Sequence, residues 1–184
     1  MKKIISLSVI SLISILFISG CGSNGTQVNT PVVNKDYKTI FISSSADFKE
    51  GSNIDSRIKA ECNLNSQIID YLKIYGAKNN LNFVVTDNKN SKENTLNLTI
   101  DNAVSSGNAF IGHRKFVSIS GKLKNQGKTY SFKAARKSGG GFLGGYKSSC
   151  AVLGGTVKRL ARDTAEWAAL PNDSARLGDV YLLQ

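Results

Sequence analysis

The chain has few of the residues that build metal sites and nucleophilic active sites. Its 184 residues include one histidine and three cysteines, which is a poor ligand set for zinc. The histidine, His113, stands in a basic stretch beside Arg114 and Lys115. No serine lies in a nucleophile elbow, and the acidic residues show no paired spacing. We therefore expect no enzyme activity, no metal and no cofactor; a hydrolase that uses His113 is the less favoured alternative.

Acidic residues are absent from a long central segment. From Asn102 to Arg162 the chain has 12 basic residues and no aspartate or glutamate. Such a concentration of charge attracts anions. The alternative is that the lysines only solvate an exposed sheet and protect its edges. The basic residues of the segment are Arg114, Lys115, Lys122, Lys124, Lys128, Lys133, Arg136, Lys137, Lys147, Lys158, Arg159 and Arg162.

The first 21 residues have the order of charge and hydrophobicity of an export signal. Two lysines precede an apolar run over 4–18, which is too short for an ordinary membrane span. The run ends in ISGC, residues 18–21, which resembles the lipobox of bacterial lipoproteins. The resemblance implies cleavage before Cys21 and acylation of its sulfur and its new amino group. An ordinary secretory signal is the alternative.

The remaining chain divides into a tether and one domain. Residues 21–36 are rich in Gly, Ser, Thr and Asn and predict a flexible tether. Residues 37–184 have the length of a single domain with a C-terminal tail over 171–184. For lipoproteins of Gram-negative cells, Gly22 implies an outer-membrane destination, with the domain facing the periplasm. In a Gram-positive cell the anchor would lie in the outer leaflet of the cell membrane.

Two cysteines are left beyond the lipobox, Cys62 and Cys150. An even pair in an exported protein is most simply a disulfide. The alternative is a metal pair completed by His113.

Apolar periodicity predicts one sheet and two helices. Strand-like runs cover 37–46, 82–87, 95–104, 115–124 and 129–137, and helical patterns cover about 58–77 and 149–169. The order is β-α-β-β-β-β-α, or β-α-β-β-β-α if the short second strand merges with its neighbour. We expect an α+β fold with a single antiparallel-rich sheet of four to five strands and two helices packed on one face. The apolar tail VYLL docks as an extra strand or lies over the core.

The sequence predicts the register between the strand-like runs 115–124 and 129–137. Pairing Lys124 with Thr129 sets Gly121 opposite Phe132, whereas a slip of one residue would set lysines against aromatics. We therefore expect a hairpin that turns over 125–128. This register places several lysines on one solvent face, and we predict an anion-binding patch made of Arg114, Lys115, Lys122, Lys124, Lys133 and Lys137.

The topology, the tether and the cysteines at the helix starts resemble small envelope lipoproteins with a fold like the amino-terminal domain of TolB. The likeness covers roughly 37–170 and includes AECNL, residues 60–64, and SSCAVL, residues 148–153. It implies an accessory role in outer-membrane assembly or secretion and names no substrate.

The segment SGGGFLGGYKSSC, residues 138–150, invites comparison with a phosphate loop. In such a loop the lysine follows the last glycine directly, whereas here Tyr146 intervenes. The glycines instead allow a sharp turn from strand to helix. Phe142, Leu143 and Tyr146 either tuck into the rim of the core or present an apolar contact loop to a partner or membrane.

These features predict a lipid-anchored, non-enzymatic envelope protein that binds a protein partner. The alternative is a binder of anionic envelope glycolipid or polymer through the basic hairpin. Its N-terminal lipid would hold it to the membrane, and nucleic acid is a disfavoured ligand outside the cytoplasm.

Overall fold

In chain order, two strands and two helices precede a run of four strands, and one helix and a short strand follow it. The structure is a computed structural model that describes residues 37–87, 94–108, 112–138 and 148–183, with the backbone alone at 106–108 and 112–114. The elements are β1 Lys38–Ile42, β2 Asp47–Phe48, α1 Ser56–Glu61, α2 Leu64–Lys78, β3 Leu81–Val85, β4 Thr95–Asn108, β5 Gly112–Asn125, β6 Lys128–Ser138, α3 Ser149–Ala169, β7 Ala175–Gly178 and a 3₁₀ turn at Val180–Leu182.

The strands form one mixed sheet in the order β3-β1-β4-β5-β6-β7, with β2 also paired to β4. The α+β class is confirmed, but the expectation of an antiparallel-rich sheet of four to five strands is wrong. Only β4–β5 and β5–β6 are antiparallel, and the other four pairings are parallel. The reason is that helices connect β1 to β3 and β6 to β7, and a helical crossover returns the chain in the same direction.

The β5–β6 hairpin has the predicted register. Lys124 pairs with Thr129, and Gly121 pairs with Phe132. Gln126 and Gly127 both have positive φ, 48° and 75°, as the tight turn that matches strand twist requires. A Cβ at Gly121 would lie 2.3 Å from the Phe132 ring, so this position admits only glycine while that ring stays in place.

Helices α2 and α3 cover the apolar face of the sheet. The α2 stripe, which includes Leu64, Ile68 and Leu72, is fully buried. The single helix predicted over 58–77 is two helices, because Asn63 adopts a left-handed conformation with φ of 47°. Helix α3 has the predicted bounds, and its Trp167 ring lies 4.6 Å from the Phe132 ring between centroids.

A disulfide joins Cys62 to Cys150, with their Cα atoms 4.8 Å apart and a sequence separation of 88. It connects the segment between α1 and α2 to the first turn of α3. In the chain-entropy model a loop of this length corresponds to about 4–5 kcal/mol of stabilisation. The bond therefore fixes the start of α3 relative to the first helical pair.

A partly buried ion pair holds the other side of α3 to the sheet. The Arg136 guanidinium on β6 donates to both carboxylate oxygens of Asp163, at 2.7 and 3.0 Å. It also contacts the Asp179 carboxylate at 3.5 Å. The Asp163 side chain is only 9% exposed, so the ion pair is largely shielded from water and its loss would leave Arg136 without its main partner.

Removal of the Asp163 carboxylate should therefore destabilise the fold. We expect Asp163→Ala to lower the free energy of unfolding by about 2–4 kcal/mol, since Arg136 is left without its main partner. Glu166→Ala is the matched control: Glu166 lies 3.8 Å from Arg162 on the surface, and its loss should cost less than about 1 kcal/mol. Urea denaturation of both variants measures the difference. If the two variants lost equal free energy of unfolding, the Arg136–Asp163 pair would contribute no more than a surface ion pair.

Candidate functional site

The face of the sheet opposite α2 and α3 is polar, and we call it the open face. Strand alternation and the register place six side chains there in two cross-strand rows. One row is Asn97, Lys122 and Ser131, and the other is Thr99, Ser120 and Lys133. Each row thus combines one ammonium group with two hydroxyl or amide groups.

A groove of about 610 Å³ lies over these two rows. Its side wall is the segment from Ser174 to Arg176 at the start of β7. A second depression, of about 400 Å³, shares Thr99, Ser120 and Lys133 with it and continues toward Lys49 and Leu183. The open face is therefore concave where the lysines and hydroxyl groups are concentrated.

The positive charge of the groove comes from Lys122, Lys133 and Arg176, and none of its described lining residues is acidic. The Arg176 guanidinium donates to the carbonyl oxygens of Val180, at 3.2 Å, and Leu183. The C-terminal turn thereby holds Arg176 at the wall. The groove consequently presents three cations to a ligand, and Arg176 is held in place by these hydrogen bonds.

Two carboxylates beside the groove bind its serines. Asp173 accepts hydrogen bonds from the Ser131 hydroxyl at 2.7 Å and the Ser131 backbone N–H at 2.9 Å. Asp101 accepts from the Ser120 hydroxyl at 2.9 Å. These contacts orient both serine side chains and use the hydroxyl proton of each.

Four of the six residues predicted for the anion-binding patch lie on the open face. Lys122, Lys124, Lys133 and Lys137 are all exposed there, and the Lys137 ammonium lies 5.1 Å from the centre of the Tyr181 ring. They share this face because the pairing of β5 with β6 aligns their positions.

Lys115 does not belong to the patch. It shares strand parity with Val117 and Ile119, so it points to the helix side, where it is only 5% exposed. Its ammonium donates to the hydroxyls of Ser105 and Ser149. The assignment of Lys115 to the patch from charge alone is therefore wrong.

Several predicted residues lie outside the part of the structure that is described. These are Cys21 with the signal and tether, the side chains of His113 and Arg114, and the contact loop Phe142, Leu143 and Tyr146. Across 37–87, 94–108, 112–138 and 148–183, no three metal-binding side chains converge. No helix in these ranges is long and apolar enough to cross a membrane.

Sequence reasoning did not assign Arg176 or the hydroxyl groups of Thr99, Ser120 and Ser131 to the patch. The alternation of polar and apolar residues along β4, β5 and β6 contains the signal for the three hydroxyls, because each faces away from buried neighbours. Nothing in the tail sequence indicates that Arg176 would reach the groove, since its position depends on the pairing of β7 with β6.

Comparisons with known proteins assign no family. No protein-family model matches the chain, and no curated protein sequence matches it significantly. Among solved structures, a minor lipoprotein from Acinetobacter baumannii aligns with 8% identity and a TM-score of 0.39, over 72% of this chain and 91% of that one. A protein described as uncharacterised aligns with 13% identity and a TM-score of 0.46, over 71% and 90% of the two chains.

The Ser131 hydrogen bonds favour the charged form of the Asp173 carboxylate. Those from the Ser131 hydroxyl and then its backbone N–H lower the pKa of Asp173. Folding stability from this carboxylate is thus present above its unfolded pKa and is lost as pH falls through the lowered pKa. We expect Ser131→Ala to raise the Asp173 pKa toward its ordinary value, as measured by carboxyl NMR titration. Asp55, whose pKa is lowered by Arg57, is the internal control. An unchanged Asp173 midpoint would contradict the assignment.

Proposed function

We propose that this protein is a lipid-anchored envelope protein whose open face binds an anionic ligand. The ligand class is the phosphate or carboxylate groups of an envelope glycolipid or polymer. The observation that supports this most directly is the pair of cross-strand rows, in which Lys122 and Lys133 each stand among hydroxyl and amide groups.

The chemistry of the rows suits a sugar phosphate. An ammonium group is a compact charge that binds phosphate, and neighbouring serine, threonine and asparagine side chains can bond sugar hydroxyls. The groove volume of about 610 Å³ lies within the usual range for small-ligand sites. The groove is therefore large enough for a headgroup and not only for a single ion.

The proposed anchor would bring the groove close to such ligands. A flexible tether over 21–36 would have a root-mean-square span of about 20 Å. Attachment at Cys21 in the outer membrane, with the domain facing the periplasm, would then raise the local concentration of headgroups around the domain. A weak site is sufficient under these conditions.

Charge reversal tests this proposal. We expect the unlipidated chain to bind vesicles that contain lipopolysaccharide or phosphatidylglycerol, and to release them at high salt. Because each lysine near an anionic surface contributes about 1 kcal/mol, Lys122→Glu with Lys133→Glu should weaken binding by at least about tenfold. Vesicle co-sedimentation measures the affinity.

The matched control reverses two exposed lysines of α2, Lys73 and Lys78, which changes the net charge equally on the helix side. This control should bind nearly as well as the wild type. Equal losses in the two double variants would show that only net charge matters and would contradict a site on the open face.

Binding of a protein partner, as an accessory of outer-membrane assembly or secretion, is the second candidate. The supporting observation is that β3 is a terminal strand of the sheet and carries Val85, which is 38% exposed. Such an edge can accept a strand from a partner. A protein that co-purifies at high salt, and that is lost when Val85 is replaced by Pro, would favour this function.

A further inference from the structure

A lysine and two serines meet on the helix side of the sheet, away from the groove. The Lys115 ammonium nitrogen lies 2.8 Å from the Ser149 hydroxyl oxygen and also donates to the Ser105 hydroxyl. The Ser105 hydroxyl in turn lies 2.8 Å from that of Ser149. The three side chains come from β5, β4 and α3, which the sheet register and the α3 packing bring together.

The environment of Lys115 is unusual for a cation. Its side chain is buried, and among the described residues no carboxylate lies within ion-pair distance of it. Burial lowers the pKa of Lys115, because the charged form loses hydration. Lys115 therefore loses its proton more easily than an exposed lysine does, and the resulting neutral amine can accept a proton.

Ser149 is placed where a substrate could reach it. It is the exposed first residue of α3 and lines a pocket of about 230 Å³ next to the disulfide. The pocket also contains Ser105 and Ile58. Its volume is sufficient for a short acyl group, and the Arg57 side chain and the two serine hydroxyls line it.

We propose that Ser149 is a nucleophile for acyl transfer from small esters, with Lys115 as its general base and Ser105 as a positioning residue. This activity would be additional to anion binding and uses none of the groove residues. It departs from the expectation of no enzyme activity, which came from the surroundings of His113, the missing nucleophile elbow and the acid spacing.

The reaction balances without any further cofactor. Neutral Lys115 takes the Ser149 hydroxyl proton as the serine oxygen bonds to the ester carbonyl carbon. The ester C–O bond breaks, and the departing alkoxide takes that proton from the Lys115 ammonium. Water then attacks the acyl-serine, again losing a proton to Lys115, and releases the carboxylic acid as the proton returns to Ser149.

The rate should depend on pH through Lys115. The charged groups that face the pocket are Asp55, Arg57 and Glu61, all in or beside α1, and Asp55 is paired with Arg57. Asp101 is the only acidic residue in the sequence of β4, and the sequences of β5 and of the first turn of α3 contain none. The rate should therefore rise with pH and level off at a midpoint below the ordinary pKa of lysine.

A fluorophosphonate probe, which reacts with activated serines, tests the proposal on the full-length protein with its disulfide intact. Peptide mass spectrometry should locate the label on Ser149. Ser149→Ala should abolish it, and Lys115→Arg, which keeps the charge but cannot act as a base, should slow labelling by about 100-fold. Ser148→Ala is the matched control: this neighbouring serine only caps α3, and labelling should continue.

The proposal is overturned if Ser149 is not labelled between pH 7 and 10, or if labelling in a folded Lys115→Arg protein equals that of the wild type. Circular dichroism checks the fold of each variant. If Lys115→Arg does not fold, Lys115→Met replaces it, because an uncharged side chain removes the base and suits a buried site.

Discussion

The pairing of Lys124 with Thr129 determines which side of this protein meets solvent. Because side chains alternate along a strand, this register places the apolar residues of β5 and β6 against α2 and α3 and their lysines on the opposite face. A slip by one residue would bury lysines against α3. The tight turn at Gln126 and Gly127, together with the fit of the Phe132 ring over Gly121, selects one register. The groove exists only as a result of that selection.

Helix α3 connects this hairpin to the rest of the domain at three places. The disulfide fixes its first turn to the α1–α2 segment, the Arg136–Asp163 pair joins its middle to β6, and Trp167 packs on Phe132 near its end. The same helix leads into β7, which forms the wall of the groove. Both the proposed binding site and the proposed nucleophile thus depend on the placement of α3.

The periodicity of apolar residues predicted the elements whose structure depends on neighbouring residues in the sequence. Helix α3 and the β5–β6 hairpin were predictable because each has a strong periodicity and a clear stop signal. The parallel pairings were not, since they follow from how helices return the chain across the sheet. The break at Asn63 was missed because the apolar spacing continues on either side of it, although asparagine is a residue that often caps a helix start. Strand alternation predicts that the four patch lysines share the solvent face. The same alternation indicates that Lys115 is buried, because it lies on the side of the strand that carries Val117 and Ile119. The position of Arg176 required the pairing of β7.

The central claim is that the open face is where the anionic ligand binds. Backbone NMR chemical-shift mapping with a phosphorylated amino-sugar disaccharide tests it most directly. We expect the largest shifts at the amides of Asn97, Ser120, Ser131 and Lys133, with little change along α2. Shifts concentrated on the helix side, or none at concentrations that saturate vesicle binding, would contradict the account.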